Sequence, residues 1–242
     1  MRWIYISPHL DDAALSAGGL IYEQARSGLA VGIWTLNSGF PPKGELSPLA
    51  QVLHFQWGFS SGEETVRLRR LEDDRAASIL GATTLHFDFL DCVYRRAPAG
   101  EWLYPMDVFD PPVAEDADLP TQMAAALSAR LRPDDVLVCQ LGVGRHVDHV
   151  NVRRAVELLG RPLLYDVDIP YLFNHPADLA PNTGGMKETF YTVTETGLGA
   201  WQEAIQAYSS QLSTLFESPD QMRESIRNYW QDKGAVSLWK FK

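Results

Sequence analysis

Short apolar runs typical of buried strands alternate along this chain with longer stretches of helical pattern, and this alternation most constrains the fold. The predicted strands cover residues 3–6, 31–35, 85–89, 136–140, 163–165 and 189–193. The predicted helices cover residues 12–27, 63–80, 121–131, 150–159, 200–216 and 219–232. Because helices join most consecutive strands, the sheet is expected to be mostly parallel with helices on its faces. The sequence therefore predicts a Rossmann-like α/β fold.

Two features interrupt this pattern. Residues 37–62 are rich in Gly, Pro and Ser, and residues 92–120 contain five prolines, so both stretches are predicted to be long loops. Inside the first predicted helix, Gly18 and Gly19 are expected to let that helix pack closely on the sheet.

Composition limits the class of protein. The chain has 242 residues, 45% of them hydrophobic, which predicts a single domain over residues 1–242. A formal charge of −10 argues against a nucleic-acid partner, which calls for a basic surface. Only Cys92 and Cys139 are present, so we expect no disulfide scaffold and a cytoplasmic location. No signal segment is expected, and no apolar run approaches the roughly 18 residues that a membrane span needs.

Two short segments carry the residues suited to chemistry. Residues 9–12 read His-Leu-Asp-Asp and follow the first predicted strand, and residues 146–149 read His-Val-Asp-His and follow the strand over residues 136–140. Ligands of open α/β sheets bind at the carboxyl ends of the strands. Both segments are therefore expected at one site, with the residue types of a metal-dependent hydrolase.

The spacing within these segments supports a metal site. His9 and Asp12 lie three residues apart where a strand turns into a helix, and they can offer one nitrogen and one oxygen to the same ion. With His149 they make a His-His-carboxylate set that leaves a fourth position for water, which is typical of catalytic zinc. Zinc is the expected cofactor, although another divalent ion such as Fe²⁺ has compatible ligands.

The remaining residues of the segments suit proton transfer. Asp11 is a free carboxylate beside the metal ligands and is predicted to be the general base. His146, in its cationic form, is expected to stabilise the oxyanion, and Asp148 is expected to hold His146 in position and keep it charged. The alternative is that Asp11, Asp12 and Asp148 only cap helix N-termini, as acidic residues commonly do.

Residues 8–12 (Pro-His-Leu-Asp-Asp), Gly18, Gly19 and residues 146–149 together resemble the LmbE-like, or PIG-L, family. The resemblance implies a zinc-dependent deacetylase that removes the acetyl group from N-acetylglucosamine conjugates. It implies His9, Asp12 and His149 as zinc ligands, Asp11 as the base and His146 as the oxyanion partner. The chain departs from the family at Leu10 and Ala13, and it lacks the tyrosine that some relatives carry shortly before the second motif.

A third segment also resembles the family, through Arg69, Glu72, Leu80 with Gly81, and later Asp91. This resemblance implies that Arg69 and Asp91 contact substrate hydroxyls. The alternative for Arg69 is a solvated, charged helix face, because the same helix carries many other charges. The expected partner is a small N-acetylated sugar or conjugate, and the sequence leaves the oligomeric state open, a homo-oligomer included.

Three other readings compete with the deacetylase. Residues 58–62 match the GxSxG nucleophile elbow of a serine hydrolase, with Ser60 as the nucleophile, but no buried strand directly precedes them. Gly142 and Gly144 resemble part of a dinucleotide fingerprint, yet Val147 stands where its third glycine belongs. A non-catalytic ligand-binding relative is the third alternative.

Overall fold

Seven strands form one mixed sheet in the computed structural model, which describes residues 1–242. The strands are β1 (Arg2–Ser7), β2 (Ala30–Thr35), β3 (Thr83–His86), β4 (Val136–Gln140), β5 (Leu163–Asp166), β6 (Met186–Thr192) and β7 (Ala235–Phe241). Their order across the sheet is β3-β2-β1-β4-β5-β7-β6. The first five are parallel, whereas β7 pairs antiparallel with both β5 and β6. The predicted α/β class and mostly parallel sheet are confirmed.

Ten helices connect and cover these strands. They are α1 (Asp12–Arg26), α2 (Pro48–Trp57), α3 (Gly62–Leu80), α4 (Leu119–Ser128), α5 (Val147–Glu157), α6 (Tyr171–Asn174), α7 (Leu179–Asn182), α8 (Glu195–Ala207), α9 (Leu212–Leu215) and α10 (Pro219–Gln231). No helix combines the length and the apolar character needed to cross a bilayer.

The central strand β1 is buried on both faces of the sheet. Tyr5 belongs to the larger core cluster, which includes α1, α3 and α8, while Ile4 and Ile6 belong to a second cluster with α4 and α5. Strand neighbours β2 and β4 flank β1, so the strand order changes direction between β1 and β4. Ligands of doubly wound sheets bind outside the strand ends at such a switch point.

The glycines of α1 pack against a helix, not against the sheet as expected. A methyl group added at Gly18 would lie 2.5 Å from Trp201 Cδ1, and one at Gly19 would lie 2.8 Å from Val193 Cγ1. Trp201 in α8 also donates its indole N–H to the Leu15 carbonyl at 3.1 Å. The two glycines therefore allow close contact between α1 and α8.

The structure contains a helix and a strand, α2 and β7, that the sequence did not predict. The stretch 37–62 contains α2, whose start is capped by the Ser47 side chain and whose end is Gly58 at φ 76°. The signals of a helix, Ser47 before its start and Gly58 after its end, are present in this stretch. The many other Gly and Pro residues around them favoured the prediction of a loop. Strand β7 was missed altogether, because it lies directly after a helix and pairs only through tertiary contacts with β5 and β6.

Candidate metal centre

Both His/Asp segments lie at the carboxyl ends of the neighbouring strands β1 and β4, as the sequence predicted. His9 follows β1, Asp11 is the residue before α1, and Asp12 is its first residue. His146 immediately precedes α5, and His149 lies in its first turn. Parallel pairing of β1 with β4 therefore brings two segments more than 130 residues apart in sequence to one edge of the sheet.

Two of the predicted metal ligands, His9 and His149, each place a ring nitrogen close to the carboxylate of the third, Asp12. Asp12 Oδ2 lies 3.2 Å from His9 Nδ1 and 3.3 Å from His149 Nε2. Tetrahedral zinc with bonds of 2.0–2.1 Å separates its ligand atoms by about 3.3 Å. The His149 Nε2 atom is buried and has no hydrogen-bond partner, so it is free to bind an ion. These two spacings and the unpaired nitrogen suit a bound metal ion. Ring nitrogens of His9, His146 and His149 also lie within 4.8 Å of one another, which makes these histidines a second candidate set of ligands.

The other nitrogen of each histidine is held by a buried carboxylate. His9 Nε2 lies 3.0 Å from Asp148 Oδ2, and His149 Nδ1 lies 2.8 Å from Asp168 Oδ1. A carboxylate accepts a proton, which assigns the N–H to these two nitrogens and leaves His9 Nδ1 and His149 Nε2 as lone-pair donors. Outer carboxylates of this kind orient the histidine ligands of metal sites.

The charges at the site favour a bound cation. Burial would lower the pKa of His9, but its hydrogen bonds with Asp12 and Asp148 outweigh burial and raise that pKa well above its ordinary value. At His149 the attraction of Asp12 and Asp168 likewise exceeds the effect of burial and raises the pKa to about 9. A site that attracts protons so strongly in the protein alone offers the same carboxylates to a metal ion.

Asp11 differs from its neighbour Asp12 in the pKa of its carboxyl group, which is raised in Asp11 and lowered in Asp12. Although Asp11 occupies the capping position of α1, its side chain makes no capping hydrogen bond, so the capping alternative fails. Burial and the charge of Asp12 raise the pKa of Asp11 to about 6, against the opposing effects of Arg69 and His9. Asp11 is thus a buried carboxylate whose pKa lies near neutrality.

The surroundings of His146 disfavour the cationic form that the sequence suggested. Burial, together with His9 and His149, lowers the pKa of His146 well below its ordinary value. Its Nδ1 accepts the Asp148 backbone N–H at 3.2 Å, which makes His146 the cap of α5. The proton of the neutral ring therefore lies on Nε2, where it can be donated as a hydrogen bond.

The carboxylate of Asp148 neither caps α5 nor orients the His146 ring, contrary to both expectations. It accepts the Cys92 backbone N–H at 2.9 Å, contacts His9 Nε2, and forms an ion pair with Arg95 at 2.6 Å. Asp148 is completely buried. Its role is therefore to support a metal ligand instead of the oxyanion partner.

A cavity of about 370 Å³ lies beside these residues, and Arg69 and Asp91, the predicted substrate contacts, are among the residues that line it. Arg69 is only 7% exposed, which rules out the solvated-face alternative. Its guanidinium lies 4.9 Å from the Trp57 ring centroid and 3.6 Å from Asp11 Oδ2. The upper walls are apolar and include Leu49, Leu53, Trp57, Val108, Phe109 and Leu215.

The serine-hydrolase alternative is not supported. Ser60 is exposed in the turn between α2 and α3, and its hydroxyl donates to Glu64 Oε2 at 2.7 Å. A helix precedes this turn where the nucleophile elbow requires a strand.

Sequence reasoning missed two residues that support the ligands, Asp168 and Arg95. Asp168 follows β5. Because ligands of open α/β sheets bind at the carboxyl ends of the strands, its position could have been recognised in the same way as the residues after β1 and β4. Arg95 has no comparable signal, because it lies within the proline-rich stretch 92–120.

The fold and the cluster of buried histidines and carboxylates together describe a hydrolytic enzyme of the α/β class with a candidate metal site. The chain belongs to the GlcNAc-PI de-N-acetylase (PIG-L) family, whose sequence profile matches residues 4–159. No curated protein sequence matches the chain significantly.

Solved structures with a similar fold extend the comparison to the whole chain. The zinc-inhibited form of teicoplanin deacetylase Orf2 is 27% identical with a TM-score of 0.84, covering 99% of this chain and 97% of that one. The A40926 pseudoaglycone deacetylase Dbv21 is 28% identical with a TM-score of 0.76, covering 99% and 96%. N,N'-diacetylchitobiose deacetylase from Pyrococcus horikoshii, at 15% identity and a TM-score of 0.58 over 100% and 82%, shares the fold.

Proposed function

We propose that this protein is a zinc-dependent hydrolase that removes an N-acetyl, or other N-acyl, group from an amino sugar or amino-sugar conjugate. The observation that carries the proposal is that His9 Nδ1 and His149 Nε2 both lie within 3.3 Å of Asp12 Oδ2, next to a cavity that His9 and Asp12 line. Family membership and whole-length similarity to two deacetylases support the reaction class.

His9, Asp12 and His149 would hold the ion. When bound, zinc polarises a carbonyl and lowers the pKa of a coordinated water, which makes hydrolysis of an amide feasible near neutral pH. Two nitrogens and one carboxylate oxygen suit zinc, and Fe²⁺ accepts the same donors.

Asp11 moves the proton in this proposal. Its carboxylate is ionised above about pH 6 and lies beside the metal ligands without a capping bond. It accepts a proton from the attacking water and, once protonated, donates that proton to the departing amine nitrogen.

His146 stabilises the negative charge that develops on the carbonyl oxygen. The neutral ring donates from Nε2, because Nδ1 is occupied by the Asp148 N–H. A neutral donor is sufficient for this role, since hydrogen bonds directed at the developing oxyanion lower the barrier whether or not the donor is charged.

The cavity supports a sugar conjugate as substrate. Among the residues that line it, Arg69 and Asp91 offer a charged donor and acceptor for hydroxyl groups. Apolar side chains such as Leu53, Trp57 and Leu215 also line it and would contact an apolar group attached to the sugar.

The cellular setting follows from charge and cysteine chemistry. Cys92 and Cys139 are both free and buried, which suits a reducing, cytoplasmic compartment.

The net charge of −10 disfavours a nucleic-acid partner. A single domain over residues 1–242 is supported by the one sheet that all seven strands share.

The test is a panel of N-acetylated amino sugars and their aryl or alkyl glycosides, assayed for release of free amine. We expect turnover that a chelator abolishes and that added Zn²⁺ restores. Turnover that persists without metal would contradict the zinc mechanism. Metal binding without turnover on any panel member would favour the non-catalytic ligand-binding alternative.

A further inference from the structure

A line of buried charges connects the metal ligand His9 to the proline-rich stretch 92–120. His9 Nε2 contacts Asp148 Oδ2 at 3.0 Å, and Asp148 Oδ1 pairs with Arg95 at 2.6 Å. Arg95 in turn pairs with Asp116 at 3.0 Å. All four side chains are at most 10% exposed, so water screens none of these charges effectively.

Arg95 is enclosed by groups from both ends of the stretch. Its guanidinium lies 5.3 Å from the Tyr104 ring centroid, and the Tyr104 hydroxyl donates to Asp116 at 2.9 Å. It also donates to the Leu90 carbonyl at 3.3 Å. The residue therefore closes residues 92–120 onto themselves and simultaneously contacts the carboxylate that supports His9.

The two histidine ligands are supported differently. Asp168, which holds His149, receives the backbone N–H of Val143 at 2.8 Å and has no arginine partner. Asp148 has Arg95 in addition to the Cys92 N–H. Orientation of His9 therefore depends on a side chain from the loop, whereas orientation of His149 depends on backbone next to the sheet.

We propose that Arg95 is a positioning residue for the metal centre: by holding Asp148 against Cys92 N and His9 Nε2, it fixes the His9 ring with Nδ1 toward the metal. This inference rests on the proposed metal centre. The same stretch contributes Val108 and Phe109 to the cavity wall, so one segment sets both the ligand orientation and the shape of the site.

The test compares Arg95→Met with Arg96→Met in the full chain. Arg96 is exposed, stacks on Trp102 and donates only to backbone carbonyls, so it is a neighbouring control for loss of an arginine. We expect Arg95→Met to weaken Zn²⁺ affinity at least about tenfold, as loss of outer-shell partners does, and Arg96→Met to leave it unchanged. Affinity is measured by competition with a chelator, without substrate.

A second readout follows the His9 ring directly. The ¹⁵N chemical shifts of the zinc-loaded protein report which ring nitrogen binds the ion and which carries the proton, and Arg95→Met should lose the single form with Nδ1 on the ion and the proton on Nε2. Arg95→Lys should restore part of the zinc affinity, because an ammonium still pairs with Asp148. If Arg95→Met does not fold, Arg95→Met/Asp116→Asn replaces it, since this variant leaves no unpaired charge at Asp116.

The outcomes separate this inference from the proposed function. A parent protein that binds no zinc would overturn both. A parent that binds zinc, with a folded Arg95 variant of unchanged affinity and unchanged His9 shifts, would overturn the role of Arg95 and leave the proposed hydrolase intact.

Discussion

His149 and Asp168 form a buried pair in which His149 Nδ1 lies 2.8 Å from Asp168 Oδ1. The pair turns His149 Nε2 toward Asp12 Oδ2, 3.3 Å away. Two structural elements thus cooperate, because α5 carries the histidine and the segment after β5 carries the carboxylate. The orientation of a metal ligand is therefore decided by a residue outside both sequence motifs.

Replacing Asp168 by Asn should weaken zinc binding about 10–100-fold, as loss of an outer carboxylate typically does. The amide can accept from His149 or from the Val143 N–H, but its NH₂ group cannot accept from the other. Chelator competition measures the effect.

Asp166→Asn is the matched control for this variant. Burial and the charge of Asp168 raise the pKa of Asp166 well above its usual range, which favours its neutral form, and the substitution preserves the shape of the side chain. A loss of zinc affinity as large in Asp166→Asn as in Asp168→Asn would contradict a specific role for Asp168.

Replacing Asp11 by Asn should leave zinc bound and reduce kcat by about 10²–10⁴-fold, the usual contribution of a general base. His9→Ala should lose both metal and turnover. Zinc content and steady-state kinetics on the same preparations check this division, and full activity in Asp11→Asn would exclude the proposed base.

Activity should depend on the ionisation of Asp11. Its pKa of about 6 in the folded protein means that the carboxylate accepts a proton above this pH and is already protonated below it. The value of kcat/KM should therefore fall as the pH drops through about 6. Because Arg69 lowers the pKa of Asp11, Arg69→Met should move the acidic fall of kcat/KM to higher pH. If the fall occurs at the same pH in Arg69→Met, Asp11 is not the group that causes it.

Replacing Gly18 by Ala should destabilise the fold by about 1–3 kcal/mol, because the added methyl group overlaps Trp201 in a packed interface. Urea unfolding monitored by circular dichroism gives the free energy of unfolding. Gly199→Ala in α8 is the control, since a methyl group there meets no atom within 4 Å. It should be neutral or stabilising, since Ala is the better helix former by about 1 kcal/mol.

Local sequence signals were reliable where local physics decides the structure. The strand over Val136–Gln140 was predicted with its observed bounds, and α3 ends at Gly81 in the left-handed conformation expected of a glycine after a helix. Strand β7 escaped prediction because its partners, β5 and β6, come from distant parts of the chain.

The sequence by itself determined the class of fold and which residues meet at one edge of the sheet. Apolar periodicity defines strands and helices, and the ends of parallel strands gather the residues that follow them, so His9, Asp12 and His149 could be assigned to one site. Tertiary structure alone decided the partner of each group. The carboxylate of Asp148 contacts His9, 139 residues away, while only its backbone N–H reaches the neighbouring His146, because side-chain direction and burial, not proximity in sequence, determine which charges meet.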